Sequence, residues 1–164
     1  SYENQYSDLN PDFIFAFPAY NVRNNEIGAI MGRNQLKRLD ANIQLRNRNF
    51  KIFLDNLDRN KFRKDFQLEG SSNYALNLII KDADIQFTER LMKRMSDEKI
   101  EFRRGSAGGG NQLRQPYLRK LLGDSYKNFS QVDHIHFHGF YIGNFPSLEE
   151  GKILKLCKIL NSVE

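Results

Sequence analysis

Three histidines, His134, His136 and His138, alternate with apolar residues near the C-terminal end of the chain. The alternation predicts a β-strand, which would turn all three imidazoles to one side. A His-x-His pair can bind one metal ion, but on a strand the outer two histidines would lie about 13 Å apart, and no cysteine or carboxylate cluster completes a site. The sequence therefore predicts no metal site and favours histidines that line a polar cleft or pack with hydrogen-bonded ring nitrogens.

The segment Arg103–Asn111 joins two arginines, Arg103 and Arg104, to a glycine-rich run with the sequence RRGSAGGGN. Guanidinium groups beside open backbone amides suit an anion such as phosphate. The segment lacks the Gly-Lys-Ser/Thr of a Walker loop and the spaced glycines of a dinucleotide fingerprint, so an ordinary loop remains the alternative. Fork-shaped polar side chains follow, including Asn111 and Arg114, and they favour a polar ligand such as a sugar.

A nucleophile with a partner base is not recognisable in this sequence. It contains no G-x-S-x-G elbow, and its acidic residues are spread without an evident catalytic pair. The single cysteine, Cys157, falls on the inner face of a predicted helix and is expected to be a packing residue. No catalytic residue is therefore assigned, and the chain resembles a binding or interaction unit more than a complete enzyme.

The elements that must position these residues alternate between strands and helices. Three strands are predicted, over residues 74–80, 100–104 and 137–142. Three helices are predicted, one capped by Asp84, a short one over 117–122, and a last one opened by a capping box at 147–150. The last helix is expected to turn Ile153, Leu156, Cys157 and Leu160 inward. This order predicts an α/β (α+β) fold in which a small three-stranded sheet has helices packed on one face.

A long amphipathic helix is predicted ahead of these elements, over residues 24–57. Its apolar arc consists of Leu36, Leu39, Ile43, Phe50, Phe53, Leu54 and Leu57. Ten basic and three acidic residues lie between Arg33 and Lys64, so this segment carries the whole positive excess of a chain with formal net charge +5. Because no aromatic residues interleave with the basic ones, the pattern favours a solvated face over a nucleic-acid stripe.

Two apolar surfaces have no obvious partner in the sequence. Ile27, Ile30 and Met31 point away from the arc of the long helix, and the preceding run Phe13–Phe17 is strongly apolar. Both suggest cover by another domain or subunit. Cover by later elements of the same chain is the equally open alternative.

Length and composition exclude several classes of protein. The chain has 164 residues, which suits one domain, and no apolar run reaches the roughly 20 residues of a membrane helix. The first residues lack a basic stretch followed by an apolar one, so no signal peptide is expected. One cysteine cannot form an internal disulfide and suits a reducing compartment, which predicts a cytoplasmic protein.

Four segments together form a recognisable pattern: FPAYNVRNNEIGAIMGRNQLKRLD (17–40), EFRRGSAGGGNQLRQPYL (101–118), VDHIHFHGFYIGNFP (132–146) and the closing LEEGKILKLCKIL. In order and spacing they resemble the C-terminal part of the DegT/StrS group of PLP-dependent sugar aminotransferases. Within that group they look closest to the nucleotide-linked 4-keto-6-deoxyhexose 3-dehydrases. The most specific pieces are the Tyr-Asn-x-Arg entry to the long helix and the RRGSAGGGNQLRQPY loop.

The resemblance implies a fold-type I enzyme in which a large domain carries PLP and a small C-terminal domain closes over it. It also implies a dimer with active sites at the subunit interface. Asn21 would reach the PLP phosphate of the neighbouring subunit, and Arg23 would lie near the nucleotide-sugar phosphates. Six further residues would line the sugar side: Arg104, Asn111, Arg114, His134, His136 and Tyr141.

The resemblance also indicates what the chain lacks. In this group a Schiff-base lysine, or a histidine in some dehydrases, lies in the large N-terminal domain, and none of the lysines here has that context. The resemblance therefore divides the chain into the end of a large PLP domain (1–22), a linking helix (23–60) and a small C-terminal domain (61–164).

The expected function is the C-terminal domain of an aminotransferase or dehydrase that acts on a nucleotide-linked keto-deoxyhexose for surface polysaccharide. This chain is expected to be inactive by itself, and neither nucleic acid nor membrane is an expected partner. Two alternatives stay open: a stand-alone sugar- or anion-binding domain, and a nucleic-acid-binding module that uses Lys37, Arg48 and Lys51.

Overall fold

The computed structural model describes residues 24–104, 110–114, 118 and 121–164, and the chain divides into two compact units after Lys37. The described part of the first unit contains helix α1, Glu26–Leu36. Asn25 caps it, because its side-chain oxygen accepts from the Gly28 amide at 2.8 Å. None of the residues of α1 is buried.

The second unit, which begins at Arg38, contains the part of the predicted linking helix that follows Lys37 together with the elements predicted for the small domain. In chain order they are α2 (Leu39–Asn56), β1 (Ala75–Ile79), α3 (Ile85–Asp97), β2 (Phe102–Arg104), α4 (Ser130–His138), β3 (Gly139–Gly143) and α5 (Glu150–Asn161). Two 3-10 turns, Gln112–Arg114 and Ser125–Asn128, precede α4. Among the described residues no helix is both long and apolar enough to cross a membrane.

The three strands form one antiparallel sheet in the order β1-β3-β2. Side chains alternate across it, so Leu76 and Ile142 face inward in one cross-strand row while Asn77, Tyr141 and Arg103 form the next row on the outer face. The inward row is buried and the outer row is not, because helices cover only one face of the sheet. The predicted fold class is confirmed.

The core lies between this inner face and helices α2, α3 and α5. Phe53, Leu91 and Leu160 are fully buried there, one from each helix. Cys157 is also buried, and burial raises the pKa of its thiol to about 11. It therefore stays protonated at neutral pH and serves as a packing residue, as the sequence predicted.

A buried asparagine joins the sheet to helix α2. The Asn144 amide nitrogen donates to the backbone carbonyls of Asn73, at 2.7 Å, and Arg46, at 3.0 Å. Its side-chain oxygen accepts from the Asn49 amide at 3.2 Å. Both asparagines are at most 5% exposed, so these bonds satisfy groups that water does not reach.

The long helix of the sequence prediction is two helices, with a turn at Lys37 and Arg38 between α1 and α2. Arg38 has φ of −114° and ψ of 0°, which depart from the ideal helical values, and no side chain caps α2 at this point. Leu36 and Leu39, both on the predicted apolar arc, are 66% and 42% exposed. No core contact therefore enforces a continuous helix here, and the buried part of α2 begins only at Asn49.

The predicted capping box of the last helix is wrong. Helix α5 begins at Glu150 after Glu149, and no side chain makes a capping bond there. Ser147 instead lies in a turn closed by a 3.0 Å bond from the Leu148 amide to the Phe145 carbonyl. Of the short helix predicted over 117–122, residues 118, 121 and 122 are helical, and residues 117, 119 and 120 lie outside the described residues. The other predicted cap is confirmed, since the Asp84 side chain accepts from the Phe87 amide at 2.9 Å.

Candidate functional site

The three histidines lie on a helix, which overturns the strand prediction for this segment. Helix α4 ends at His138 and strand β3 begins at once with Gly139. A Cβ atom at residue 139 would lie 2.5 Å from the Ile135 carbonyl oxygen, so only glycine allows the backbone to pass directly from helix to strand there. This junction moves the start of the third strand two residues beyond its predicted position.

On a helix the histidines no longer face one way. His134 and His138 are four residues apart and share a face, with ring centroids 5.1 Å apart. The His134 Nε2 atom donates to the Ile80 carbonyl at 2.7 Å. The Thr88 hydroxyl donates to the Asp84 carbonyl at 2.6 Å and so accepts from His138 Nδ1 at 2.8 Å. Two of the three histidines therefore each use one ring nitrogen to fasten α4 to the core.

On the opposite side of α4, two of its residues meet two residues from the segment 110–114. We call these four polar residues the Asp133 cluster: Asn111, Arg114, Asp133 and His136. Arg114 donates to both Asp133 oxygens, each at 2.7 Å, and the Asn111 amide donates to Oδ1 at 2.8 Å. The Asn111 backbone amide donates to His136 Nδ1 at 3.1 Å. Together these bonds anchor residues 110–114 on α4.

Aromatic rings flank the arginine of the Asp133 cluster. The Arg114 guanidinium lies 4.2 Å from the Tyr126 ring centroid and 4.8 Å from that of Phe137. Its hydrogen bonds hold the pKa of Asp133 below the ordinary range, and the same bonds raise the pKa of Arg114. The pair is therefore charged on both sides at neutral pH, and its guanidinium is committed to Asp133.

His136 is the member of the Asp133 cluster that can still address a ligand. Because its Nδ1 accepts from a backbone amide, the neutral ring carries its proton on Nε2. Burial lowers the pKa of His136, and the nearby Arg114 charge lowers it further. Within the described part of the chain Nε2 makes no hydrogen bond, so a neutral N–H donor is held in a fixed orientation.

Arg104, at the end of β2, lies beside the Asp133 cluster. Its guanidinium donates to the Phe137 carbonyl of α4 at 3.1 Å and contacts the Met92 sulfur at 2.8 Å. Its charge also lowers the pKa of His136. Helix α4 thus holds both flanks of the glycine-rich segment, Arg104 on one side and Asn111 with its neighbours on the other.

The structure separates the other predicted site residues from this cluster. Tyr141 lies on the outer face of the sheet, where its ring contacts Tyr74 edge-on at 5.9 Å and its hydroxyl is 3.5 Å from Arg103. His134 faces Ile80 on the far side of α4. Asn21 and Arg23 lie outside the described residues. Four predicted residues therefore come together, Arg104, Asn111, Arg114 and His136, while His134 and Tyr141 lie elsewhere.

Sequence reasoning missed Asp133, the acceptor that organises the cluster. Asp133 and His136 are three residues apart, a spacing that places two side chains on the same face of a helix. On the predicted strand the same spacing would have put them on opposite faces. The wrong element type therefore concealed the pair.

Comparisons with known proteins place this arrangement in a family. A family model described as the DegT/DnrJ/EryC1/StrS aminotransferase family matches residues 2–161. The chain belongs to this family. A GDP-4-keto-6-deoxy-D-mannose 3-dehydratase of Yersinia pseudotuberculosis is 28% identical over 150 residues, which are 90% of this chain and 38% of that protein. The namesake enzyme of Escherichia coli O55:H7 is 28% identical over 134 residues, covering 80% of this chain and 34% of that one.

Solved structures of the same family superpose on this chain. The E. coli GDP-4-keto-6-deoxy-D-mannose-3-dehydratase with bound hydrated PLP matches with a TM-score of 0.72 at 26% identity, over 91% of this chain and 38% of that one. A variant GDP-4-keto-6-deoxymannose-3-dehydratase with bound GDP-perosamine matches with a TM-score of 0.72 at 27% identity, over 90% and 38% of the two chains. The chain thus spans less than two fifths of the relatives it matches.

The lysines within the described residues of this family member are accessible to solvent. The described lysines are exposed except Lys61, which is half-buried. Its ammonium donates to the carbonyls of Asn161, at 2.7 Å, and Val163, at 2.8 Å. The described part also contains no group of three or more histidine, cysteine or carboxylate side chains that could hold a metal ion.

Acidification is expected to destabilise the domain through His136 and His138. Burial lowers the pKa of both from the ordinary value of 6.5, so below that pH the unfolded chain binds protons that the folded chain refuses. Stability is therefore complete above this pH and falls as the pH drops toward the folded-state pKa values. Urea unfolding between about pH 8 and about pH 5 measures the slope, since proton uptake on unfolding is what makes stability depend on pH.

A double variant tests whether His136 and His138 cause this pH dependence of stability. The double substitution His136→Gln and His138→Gln removes both titrating rings and should flatten the curve in that window. The loss of stability that comes from protonating Asp133 occurs at lower pH, below the ordinary carboxyl pKa of 3.8, and should persist in the variant. A wild-type curve that is already flat between neutral pH and about pH 5 would contradict the assignment.

Proposed function

We propose that this chain is the C-terminal domain of a PLP-dependent enzyme that transforms a nucleotide-linked keto-deoxyhexose for surface-polysaccharide synthesis. The observation that supports this best is the way α4 holds both flanks of the glycine-rich segment. Arg104 and Asn111 are fixed on the helix that presents the neutral Nε2–H of His136. A neutral donor of this kind suits a sugar hydroxyl or carbonyl oxygen, since it needs no counter-charge.

In the proposed enzyme the chemistry is divided between two domains. PLP, when bound in the large domain, supplies the electron sink for transamination or dehydration. The present chain positions the sugar through His136, with Arg104, Asn111 and Arg114 holding the surrounding segments in place, and completes the interface of a cytoplasmic homodimer. His134 and Tyr141 are kept as candidates for sugar contacts, Asn21 for the PLP phosphate of the neighbouring subunit, and Arg23 for the substrate phosphates.

Ion pairs on helix α2 weigh against the nucleic-acid alternative. Arg48 pairs with Glu150 at 2.6 Å and Lys51 pairs with Asp55 at 3.0 Å. A cation that already has a carboxylate partner gains less from a phosphate backbone, because the ion pair has to be broken and this cost offsets the counterion release that drives binding. The face on which that alternative depends is therefore partly neutralised within the described residues.

The division of labour is tested with the chain alone and with a chimaera. The purified chain is expected neither to develop the visible absorbance of a lysine-bound PLP on titration nor to transaminate. A chimaera is made in which this chain replaces the matching part of the Yersinia enzyme. We expect the chimaera to bind a GDP-linked sugar. In that chimaera His136→Ala should weaken sugar binding about tenfold, the loss of one buried hydrogen bond.

Two outcomes would contradict the proposal. A borohydride-reducible PLP adduct on the isolated chain would mean that it holds the cofactor itself. A folded chimaera that binds PLP but shows no affinity for the GDP-linked sugar would contradict the proposed substrate class. Asn77→Ala, on the exposed outer face of the sheet, is the control substitution and should leave binding unchanged.

A further inference from the structure

A polar groove with a volume of about 900 Å³ opens between the segments around Phe62 and Lys81 and the start of α4 at Gln131. It shares no lining residue with the Asp133 cluster. Four cations and two carboxylates line it: Arg59, Arg63, Lys64, Lys81, Asp65 and Asp82. Part of the basic excess identified in the sequence between Arg33 and Lys64 therefore lies in a concave site and not on the exposed face of α2.

The charged side chains of this groove do not form ion pairs with one another within the described residues. Within the described residues none of the six forms an ion pair, although charged residues elsewhere in the second unit often do, such as Lys93 with Asp97. Arg63 donates to the Gln131 side chain at 3.0 Å, whereas Arg59 and Lys81 make no side-chain hydrogen bond in the described part of the chain. Cations are thus left available in a site with a positive excess.

The backbone of the groove is held firmly, so ligand binding does not have to order the main chain that carries these cations. Phe62 and Ile80 form an antiparallel bridge, and both are buried. The Arg63 amide donates to the Ile79 carbonyl and the Lys81 amide to the Lys61 carbonyl, each at 2.8 Å. Two cation-bearing segments are therefore fixed side by side, which lowers the entropy lost on binding.

We propose that this groove binds a small molecule that carries a diphosphate and hydroxyl groups, such as a nucleoside diphosphate. Guanidinium and ammonium groups recognise phosphate oxygens, and the two carboxylates accept hydrogen bonds from sugar hydroxyls. The same carboxylates repel a continuous polyanion such as nucleic acid. The site is additional to the sugar-facing cluster of the proposed function and does not depend on it.

Binding is measured by calorimetry at low salt on the full 164-residue chain with inorganic pyrophosphate and with GDP. Both ligands should bind saturably and shift the backbone NMR signals of Arg63 and Lys81. The double substitution Arg59→Gln and Lys81→Gln should weaken both ligands about tenfold or more, since each loses charge-assisted hydrogen bonds. Both side chains are exposed, so this variant keeps the fold.

A matched control separates specific binding from net charge. Lys155→Gln with Lys158→Gln removes the same charge from exposed positions of α5 outside the groove and should leave affinity unchanged. Asp82→Asn should weaken GDP but strengthen pyrophosphate, because only GDP offers hydroxyls to that carboxylate. Equal losses in both double variants, NMR shifts confined to the Asp133 cluster, or tighter binding of a single-stranded oligonucleotide than of GDP would each overturn the proposal.

Discussion

Replacing Asp133 by asparagine is expected to lower the free energy of unfolding by about 2 kcal/mol and to release residues 110–114 from helix α4. The substitution keeps the shape of the side chain but removes its charge. Its amide group then faces the Arg114 guanidinium with hydrogens on both sides, so the two 2.7 Å bonds cannot both form. The expected loss of stability lies between the values for an exposed and a buried ion pair, because the Arg114 and Asp133 side chains are 29% and 22% exposed.

The measurements for this prediction are urea unfolding and amide hydrogen exchange. Exchange at Asn111 should accelerate, because its bond to His136 depends on the anchored turn. Asp97→Asn is the matched control, since its pair with Lys93 is exposed and should be worth about 0.5 kcal/mol or less. An Asp133→Asn protein as stable as wild type, with unchanged exchange at Asn111, would show that the cluster does not anchor the turn.

A double-mutant cycle isolates the ion pair from the rest of the cluster. Arg114→Gln removes the same bonds from the other side, along with the contacts to Tyr126 and Phe137. If the pair dominates, adding Asp133→Asn to Arg114→Gln should cost much less than it does alone. Additive effects would instead assign most of the stability to the ring contacts.

Replacing Asn144 by leucine is expected to destabilise the domain by about 3 kcal/mol, the largest stability change among these substitutions. Leucine has nearly the same shape but offers no donor or acceptor. The carbonyls of Arg46 and Asn73 and the amide of Asn49 would lose their bonds to this side chain. The penalty is large because the site excludes water, so a bond to solvent cannot replace them.

Thermal and urea unfolding measure this effect, with Asn77→Leu as the matched control. Asn77 lies on the exposed outer face of β1 and makes no side-chain hydrogen bond in the described residues, so its replacement should change stability by no more than about 0.5 kcal/mol. Similar losses in the two variants would mean that strand geometry, and not the buried bonds of Asn144, determines the effect.

The elements that sequence reasoning located correctly are those with strong local signals. Strand β1 and helix α3 follow from a run of apolar residues and from the Asp84 cap, and the inward positions of α5 follow from helical spacing. Helix α4 was missed because the alternation over His134–His138 is typical of a strand. The direct passage from helix to strand at Gly139, close to the Ile135 carbonyl, depends on the folded backbone and is not recorded in that alternation.

The candidate site was predicted in composition but not in arrangement. The sequence indicated polar residues around the glycine-rich segment, and Arg104, Asn111, Arg114 and His136 do come together. It could not indicate that the arginines are committed to neighbours within the protein or that Asp133 organises the cluster. It also could not place Tyr141 and His134 apart, because that separation follows from the helix-to-strand junction.

By itself the sequence determined the family, the sheet-and-helix class and most of the core, because each of these depends on motifs and periodicities that are read within a few turns of chain. The tertiary structure alone decided which polar groups remain free for a ligand. Arg114 and Asp133 are 19 residues apart, and the groove unites Arg63 with Lys81 across a bridge at Phe62 and Ile80. Such pairings depend on where the folded backbone places each segment, and no local pattern records that.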